Sequence, residues 1–480
     1  MGTLVIDVGT SSVRATIVGD NGRPGSASSV PTPPSRPSPG VAEFDPLGLA
    51  DAAAHAAASA SAAGGPVSAV AIASQRASTV LWDRHSGEPV GPGIGWQDLR
   101  TTGQCLALRE RGLRLAPNQS ATKLAYLLDL ADPDRTRDLC FGTIETWLAW
   151  RLSRGEAHVT DATNAAVSGL VRSDASDWDD AVLDILHVPR SVLPSIVDST
   201  GICGVASTLE GSPLIAALVG DQQASLIGQG CIDAGLAKVT FGTGGMLDCC
   251  VGELPPAAGT RGASGTFPIV AWRESGRLTW GVEAIMLSAG SCVDWLRDGI
   301  GLISSATESE ALASSVRDAG GVTFVPALGG IGTPLWDFGA RGTLVGIDAT
   351  TTRAEIVRAV LEGIAHRGAD LLEAVEADCG LRIEELRLDG GMSVNRTFVQ
   401  LLANATGRPV ARSALTEATT LGAAFLAGRA VGTWSSLHDA VSTLSAREVV
   451  DPQHRLDRER WLDARSRALR TVPFLSSLEF

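Results

Sequence analysis

Along this chain, short runs of small and β-branched apolar residues repeatedly stop on polar residues and Gly. "TLVIDVGTSSVRATIV" (3–18) is apolar through Leu4, Val5 and Ile6, reaches Asp7, turns through Gly9, Thr10, Ser11 and Ser12, and becomes apolar again around Arg14. β-Branched residues on either side of a Gly and hydroxyl turn predict a hairpin. "AKVTFGTGGMLDCC" (237–250) repeats the pattern, with Gly242, Thr243 and Gly244 at the turn. "VSAVAIAS" (67–74) predicts a buried strand running into Gln75 and Arg76, and "LIAALVGDQQASLIGQG" (214–230) a strand stopping on Asp221 before a helix. In "LRLDGGMSVN" (386–395) a strand ends at Asp389, Gly390 and Gly391 and leads into a helix beginning near Ser393. Polar residues placed directly after buried strands lie at the sheet edge where α/β proteins bind ligands.

Between these strands, Pro24, Pro31, Pro33, Pro34, Pro37 and Pro39 predict a loop or extended edge over 24–40. "PLGLADAAAHAAASASAAGG" predicts an Ala-rich helix ending at Gly64 and Gly65, and the Arg-rich stretch 445–472 a terminal helix with a charged solvent face. A chain of 480 residues exceeds a single core. The same hairpin opens both halves, so two domains are expected, 1–231 and 232–480, forming an internally duplicated α/β fold that closes over a shared cleft.

Net charge of −14 without a basic tract argues against nucleic acid or anionic membrane as partner; a small anionic substrate needs only a local basic site. No apolar run approaches the roughly 20 residues that span a bilayer, and the N-terminus enters a strand at once, so a soluble cytoplasmic protein is expected. The eight Cys form no CxxC pair and the seven His no HExxH, which predicts buried free thiols. Lys123 and Lys238 are the only lysines. Lys123 reads as fixing a helix near the surface, and Lys238 either as meeting phosphate or, as the favoured reading, as a solvated edge charge.

The first turn has the makings of an oxyanion cup. Gly9 permits close backbone approach, the hydroxyls of Thr10, Ser11 and Ser12 can donate, and Arg14 adds positive charge. Asp7 would suit a Mg²⁺ shell through water, or could equally belong to an ordinary hairpin and point to solvent. Asp221 reads either as a cleft carboxylate or as the N-cap of its helix.

Ten stretches in order from residue 4 to about 434 resemble the FGGY carbohydrate kinases, a branch of the actin and Hsp70 ATPase superfamily, most closely their glycerol kinase type. Besides the turns above they include "SQRASTVLWDRHSGEPVGPGIGWQDLRT", "SATKLAYLLD", "FGTIETWLAWRL", "HVTDATNA", "FVPALGGIGTPLWDFGARGTLVGI" and "TEATTLGAAFLAG". The resemblance implies two actin-like (ribonuclease H-like) domains, ATP and Mg²⁺ as cofactors, a small polyol or sugar as substrate, and a homodimer or higher oligomer. It places the triphosphate between Gly9 to Ser12 with Arg14 and the facing Gly242, Thr243 and Gly244. Asp7 and Asp221 would organise Mg²⁺, and Gly390, Gly391, Met392 and Asn395 would form the adenine and ribose shelf. Asp221 matches the catalytic base.

Three of the family's glycerol contacts are changed. Arg76, Trp96, Asp221 and Gln222 are retained, but Ala77 stands where a Glu belongs, Asn118 where a Tyr belongs and Met246 where an aromatic belongs. The loss of a carboxylate and the added space favour a C4–C5 polyol or ketulose over glycerol, with glycerol phosphorylation as the alternative. Asp98 reads as the salt-bridge partner of Arg100. An ATP-driven chaperone or filament of the same superfamily is a further alternative. It is disfavoured because only about 40 Arg-rich residues follow the second nucleotide lobe.

Overall fold

The computed structural model describes residues 2–257, 259–413 and 417–478; Thr416, in the last of the quoted motifs, lies outside them. In the N-terminal half, strand Gly2–Val8 pairs antiparallel with Ser12–Val18, and the latter with the edge strand Pro24–Pro31. On its other side Gly2–Val8 runs parallel to Val67–Ser74, which runs parallel to Leu214–Gly220. In the C-terminal half, Ala237–Phe241 pairs antiparallel with Gly245–Gly252, and that strand with Arg277–Met286. Ala237–Phe241 also runs parallel to Leu386–Asp389, itself parallel to Val410–Arg412. Order and direction repeat, so the architecture is a duplicated, actin-like α/β fold.

The central strands are near-continuous apolar runs because helices cover both faces. Leu4, Val5, Ile6 and Val8 are all fully buried. Helix Pro46–Gly64 starts at Asp45, whose carboxylate accepts from the Leu47 amide, and ends as expected at Gly65, where φ is 87°. Its buried Ala face has little side-chain bulk, which lets the helix lie close on the sheet. The proline-rich stretch supplies the edge strand, where missing N–H groups cost no ladder bond.

Helices Asp221–Gly228 and Ala418–Ala430 pack where the two halves meet. A Cβ on Gly228 would lie 1.8 Å from the Ala418 carbonyl oxygen, and one on Gly422 would lie 1.8 Å from that of Ala224. The pair therefore crosses backbone to backbone. Leu226, Ile227, Leu421 and Phe425 form the core around this crossing.

Two expectations are corrected here. Lys123 is fully buried in helix Ser120–Ala131, its Nζ donating to the Asn118 carbonyl at 3.2 Å, and burial lowers its pKa to about 7 against the pull of Asp98. The terminal helix Arg458–Ala468 does not keep all its arginines in solvent. Arg458 and Arg465 both reach the buried Asp370, and their guanidinium groups also lie 5.1 and 5.5 Å from the centre of the buried Trp461 ring. A buried carboxylate requires charged partners, and the long arginine stems can supply them from a surface helix. The eight Cys are free, six of them buried, as expected. Asp98 binds Arg100 at 2.8 Å, also as expected.

Candidate active site

Asp7 closes the first strand directly opposite Arg14 across the hairpin. The turn between them is tight, with the Gly9 amide donating to the Ser12 carbonyl at 3.0 Å. Arg14 pairs with Glu417 of the C-terminal half at 2.6 Å. Burial, then the negative charges of Asp221 and Glu417, push the Asp7 carboxyl up to about 7, with only Arg14 opposing. Such crowding of carboxylates fits a divalent cation, which would relieve the repulsion. Among the described residues no group of three or more His, Cys, Asp or Glu side chains converges as a metal cage. An acid pair with water and phosphate completing the shell is the usual Mg²⁺ arrangement.

Asp221 is the first residue of its helix; Gly220 is the cap, and the Gln222 amide donates to the Asp221 carboxylate at 2.8 Å. The N-cap alternative therefore does not hold. Burial raises the pKa of Asp221, and Arg76, whose Nε lies 3.7 Å away, pulls it down. Arg76 reaches across to Glu283 of the other half at 2.6 Å and to the Met246 sulfur at 3.9 Å, while its Nη1 is buried without a hydrogen-bond partner. Burial works against the guanidinium charge, but Glu283 and then Asp221 hold it firmly. Trp96 connects this wall to the first turn, its indole N–H donating to the Thr10 hydroxyl at 3.3 Å.

The second turn is anchored from behind. The Gly242 and Thr243 carbonyls accept from the Gly290 and Ala289 amides at 2.8 and 2.9 Å, leaving the Thr243 side of the turn exposed. At the shelf, Gly390 has φ 86°, and a Cβ there would meet the Phe241 backbone at 2.5 Å, whereas one on Gly391 would meet nothing within 4 Å. That open face accommodates a flat ring. The side chains of Met392 and Asn395 are otherwise engaged: Met392 packs in the core and Asn395 caps helix Arg396–Thr406, donating also to Ser309. The helix consequently begins at Arg396 rather than near Ser393.

Of the three altered positions, Met246 lies against Arg76, and Ala77 is buried beside it with φ 60°, a backbone region few non-Gly residues adopt. Asn118 is exposed, and its carbonyl is taken by Lys123. Four residues of the site escaped the sequence pattern: Glu283, Asp248, Glu417 and, as a misreading, Lys238. Lys238 is fully buried and pairs with Asp248 at 2.8 Å, so it is not a solvated edge charge. The available signal was a charged residue inside an apolar strand, present in "GMLDCCVG", "LTWGVEAIM" and "AKVTF".

Models of the N-terminal and C-terminal domains of the FGGY family of carbohydrate kinases match residues 3–228 and 237–431. Glycerol kinase of Alkalilimnicola ehrlichii is 45% identical over 450 residues, covering 89% of this chain and 90% of that protein. Glycerol kinase of Aromatoleum aromaticum is 40% identical over 490 residues, with coverage of 97% and 98%. The crystal structure of Plasmodium falciparum glycerol kinase with ADP superposes with a TM-score of 0.89 at 26% identity, covering 100% of this chain and 99% of that one. The ligand-bound xylulose kinase of Lactobacillus acidophilus shares the fold, with a TM-score of 0.86 at 22% identity and 99% coverage of both chains. Among the described residues no helix is long and apolar enough to cross a membrane.

Proposed function

This chain belongs to the FGGY family of carbohydrate kinases and is an ATP-dependent kinase, and we propose that it phosphorylates a primary hydroxyl of glycerol or another small polyol. The observation that carries this reading is Asp221: a half-buried, strand-end carboxylate flanked by Arg76 and Gln222, between two Gly and Thr turns on opposite halves. We place the division between the halves at 231 and 232.

In the proposed reaction the two turns, with Arg14, hold the triphosphate, and the Gly390 and Gly391 backbone supports the base. The acceptor lies against Trp96, Arg76 and Gln222, which fix its hydroxyl in line with the γ-phosphorus. Asp221 takes the hydroxyl proton as the new O–P bond forms and ADP leaves. Its elevated pKa suits that proton transfer. Asp7 and Asp221 would hold Mg²⁺, which when bound would neutralise charge on the phosphoryl oxygens. Arg14 must exchange Glu417 for phosphate when nucleotide enters.

Glycerol is favoured by the relatives, and a specific observation supports a second reading. Ala77 and Met246 leave the wall beside Arg76 without the family's carboxylate and aromatic, which gives room to a C4–C5 polyol or ketulose. A coupled ADP-release assay with glycerol, erythritol, xylitol and D-xylulose decides between them. The expected result is the highest kcat/KM with glycerol; a longer acceptor ranking first would establish the second reading, and no ADP release with any of them would remove both. In either case Ala77→Glu with Asn118→Tyr is expected to raise kcat/KM for glycerol by about tenfold, the worth of one restored buried hydrogen-bonding group.

A further inference from the structure

Lys238 and Asp248 lie on adjacent strands, Ala237–Phe241 and Gly245–Gly252, directly opposite one another in register. Both side chains are fully buried, with Nζ 2.8 Å from Oδ2. An ion pair removed from water in this way contributes little to stability, because desolvation offsets the attraction. The remaining contacts of Lys238 suggest another use. Its Nζ also donates to the Thr240 hydroxyl at 2.8 Å and, across the cleft, to the Gln222 Oε1 at 2.6 Å. An ammonium can only donate, so the Gln222 amide must turn its oxygen to Lys238 and its NH₂ away.

We propose that Lys238, held by Asp248, is a positioning residue that locks the Gln222 side chain so that it presents only a hydrogen-bond donor to the phosphoryl acceptor. The neighbouring wall has the same polarity. Arg76 gives Nη2 to Glu283 and keeps a buried, unpartnered Nη1. Beside the Asp221 carboxylate, this side of the pocket therefore reads oxygen lone pairs on the acceptor and disfavours groups that can only donate. A carbonyl or hydroxyl oxygen next to the reacting hydroxyl satisfies it; an ammonium does not. The inference rests on Gln222 contacting the acceptor, as in the function proposed above.

The test separates positioning from simple support of the fold. In Lys238→Met with Asp248→Leu both charges go together, so no buried charge is left unpaired and the fold is retained. Gln222, freed from its donor, can then rotate. With the best of the four acceptors in the ADP-release assay, the double variant is expected to raise the acceptor KM at least about tenfold, the worth of one hydrogen-bonded contact, while the KM for ATP and the thermal midpoint stay near wild type. In a Gln222→Ala background the same pair of changes should add nothing further. An unchanged acceptor KM in the double variant overturns the proposal, as does an effect that multiplies with Gln222→Ala. An unchanged acceptor KM in Gln222→Ala alone overturns it together with the assignment of Gln222 to the acceptor, but leaves phosphorylation by Asp221 standing. Should the double variant not fold, Lys238→Met with Asp248→Asn also leaves no buried charge, preserves the volume at 248, and is expected to shift the acceptor KM in the same direction; no shift there counts against the proposal.

Discussion

Asp221→Asn is expected to lower kcat by at least about 10², the contribution of one general base, while ATP and ADP still bind. Asn is nearly isosteric and can still accept the Gln222 amide bond now made at 2.8 Å, so the helix start should be kept. It cannot take a proton from the acceptor, and Arg76 loses a negative neighbour although Glu283 remains at 2.6 Å. Single-turnover kinetics with nucleotide-binding titration would separate the two effects. Turnover above about a tenth of wild type would mean that another group removes the proton.

Gly422→Ala, like its counterpart Gly228→Ala across the same crossing, should be among the most damaging additions of a single methyl group. The added carbon would lie 1.8 Å from the Ala224 carbonyl oxygen and 2.8 Å from the Gly228 amide nitrogen, both backbone atoms that no rotamer change can move. Helices Asp221–Gly228 and Ala418–Ala430 must then separate, opening the core around Leu226, Leu421 and Phe425. The expected cost is about 3 kcal/mol, seen as a thermal midpoint lower by roughly 5 °C or more. Activity should fall further than stability explains, because the displaced helix carries Asp221 and Gln222. Gly103→Ala serves as the control. It lies within helix Thr102–Glu110 with open space around its Cβ, so the same change there should be neutral or stabilise by about 0.5–1 kcal/mol. Equal midpoints for the two variants would show that the crossing tolerates expansion.

Elements whose character is local were readable from residue order. The two hairpins, the Ala-rich helix from Pro46 to Gly64 and the strand ends at Arg76, Asp221 and Asp389 follow from β-branched runs, turn residues and capping chemistry within a few positions. The repetition of the Gly and Thr hairpin also disclosed the duplication, because each copy must build the same strand order. Charges inside apolar strands were less legible. A lone lysine beside a turn normally reads as solvated, and only the register that sets Lys238 opposite Asp248 explains its burial. Glu283, 207 positions from Arg76, and Glu417, which meets Arg14, carried no local sign of their partners.

Residue order was therefore sufficient for a duplicated α/β class, the two turns and the carboxylate at the end of the strand, since each depends on short-range backbone preference and on the apolar period, while the actin-like assignment came from the resemblance of the motifs to the FGGY kinases. It was not sufficient for the electrostatics of the cleft. Those arise where the halves meet, and the energy of a buried charge is set by whichever opposite charge or hydrogen-bond partner the fold brings within a few ångströms, not by its neighbours in the chain. Arg76 with Glu283, Lys238 with Gln222, and the glycine-lined crossing of two helices exist only where the two halves meet, and Lys238 meets Asp248 only through the register of their strands.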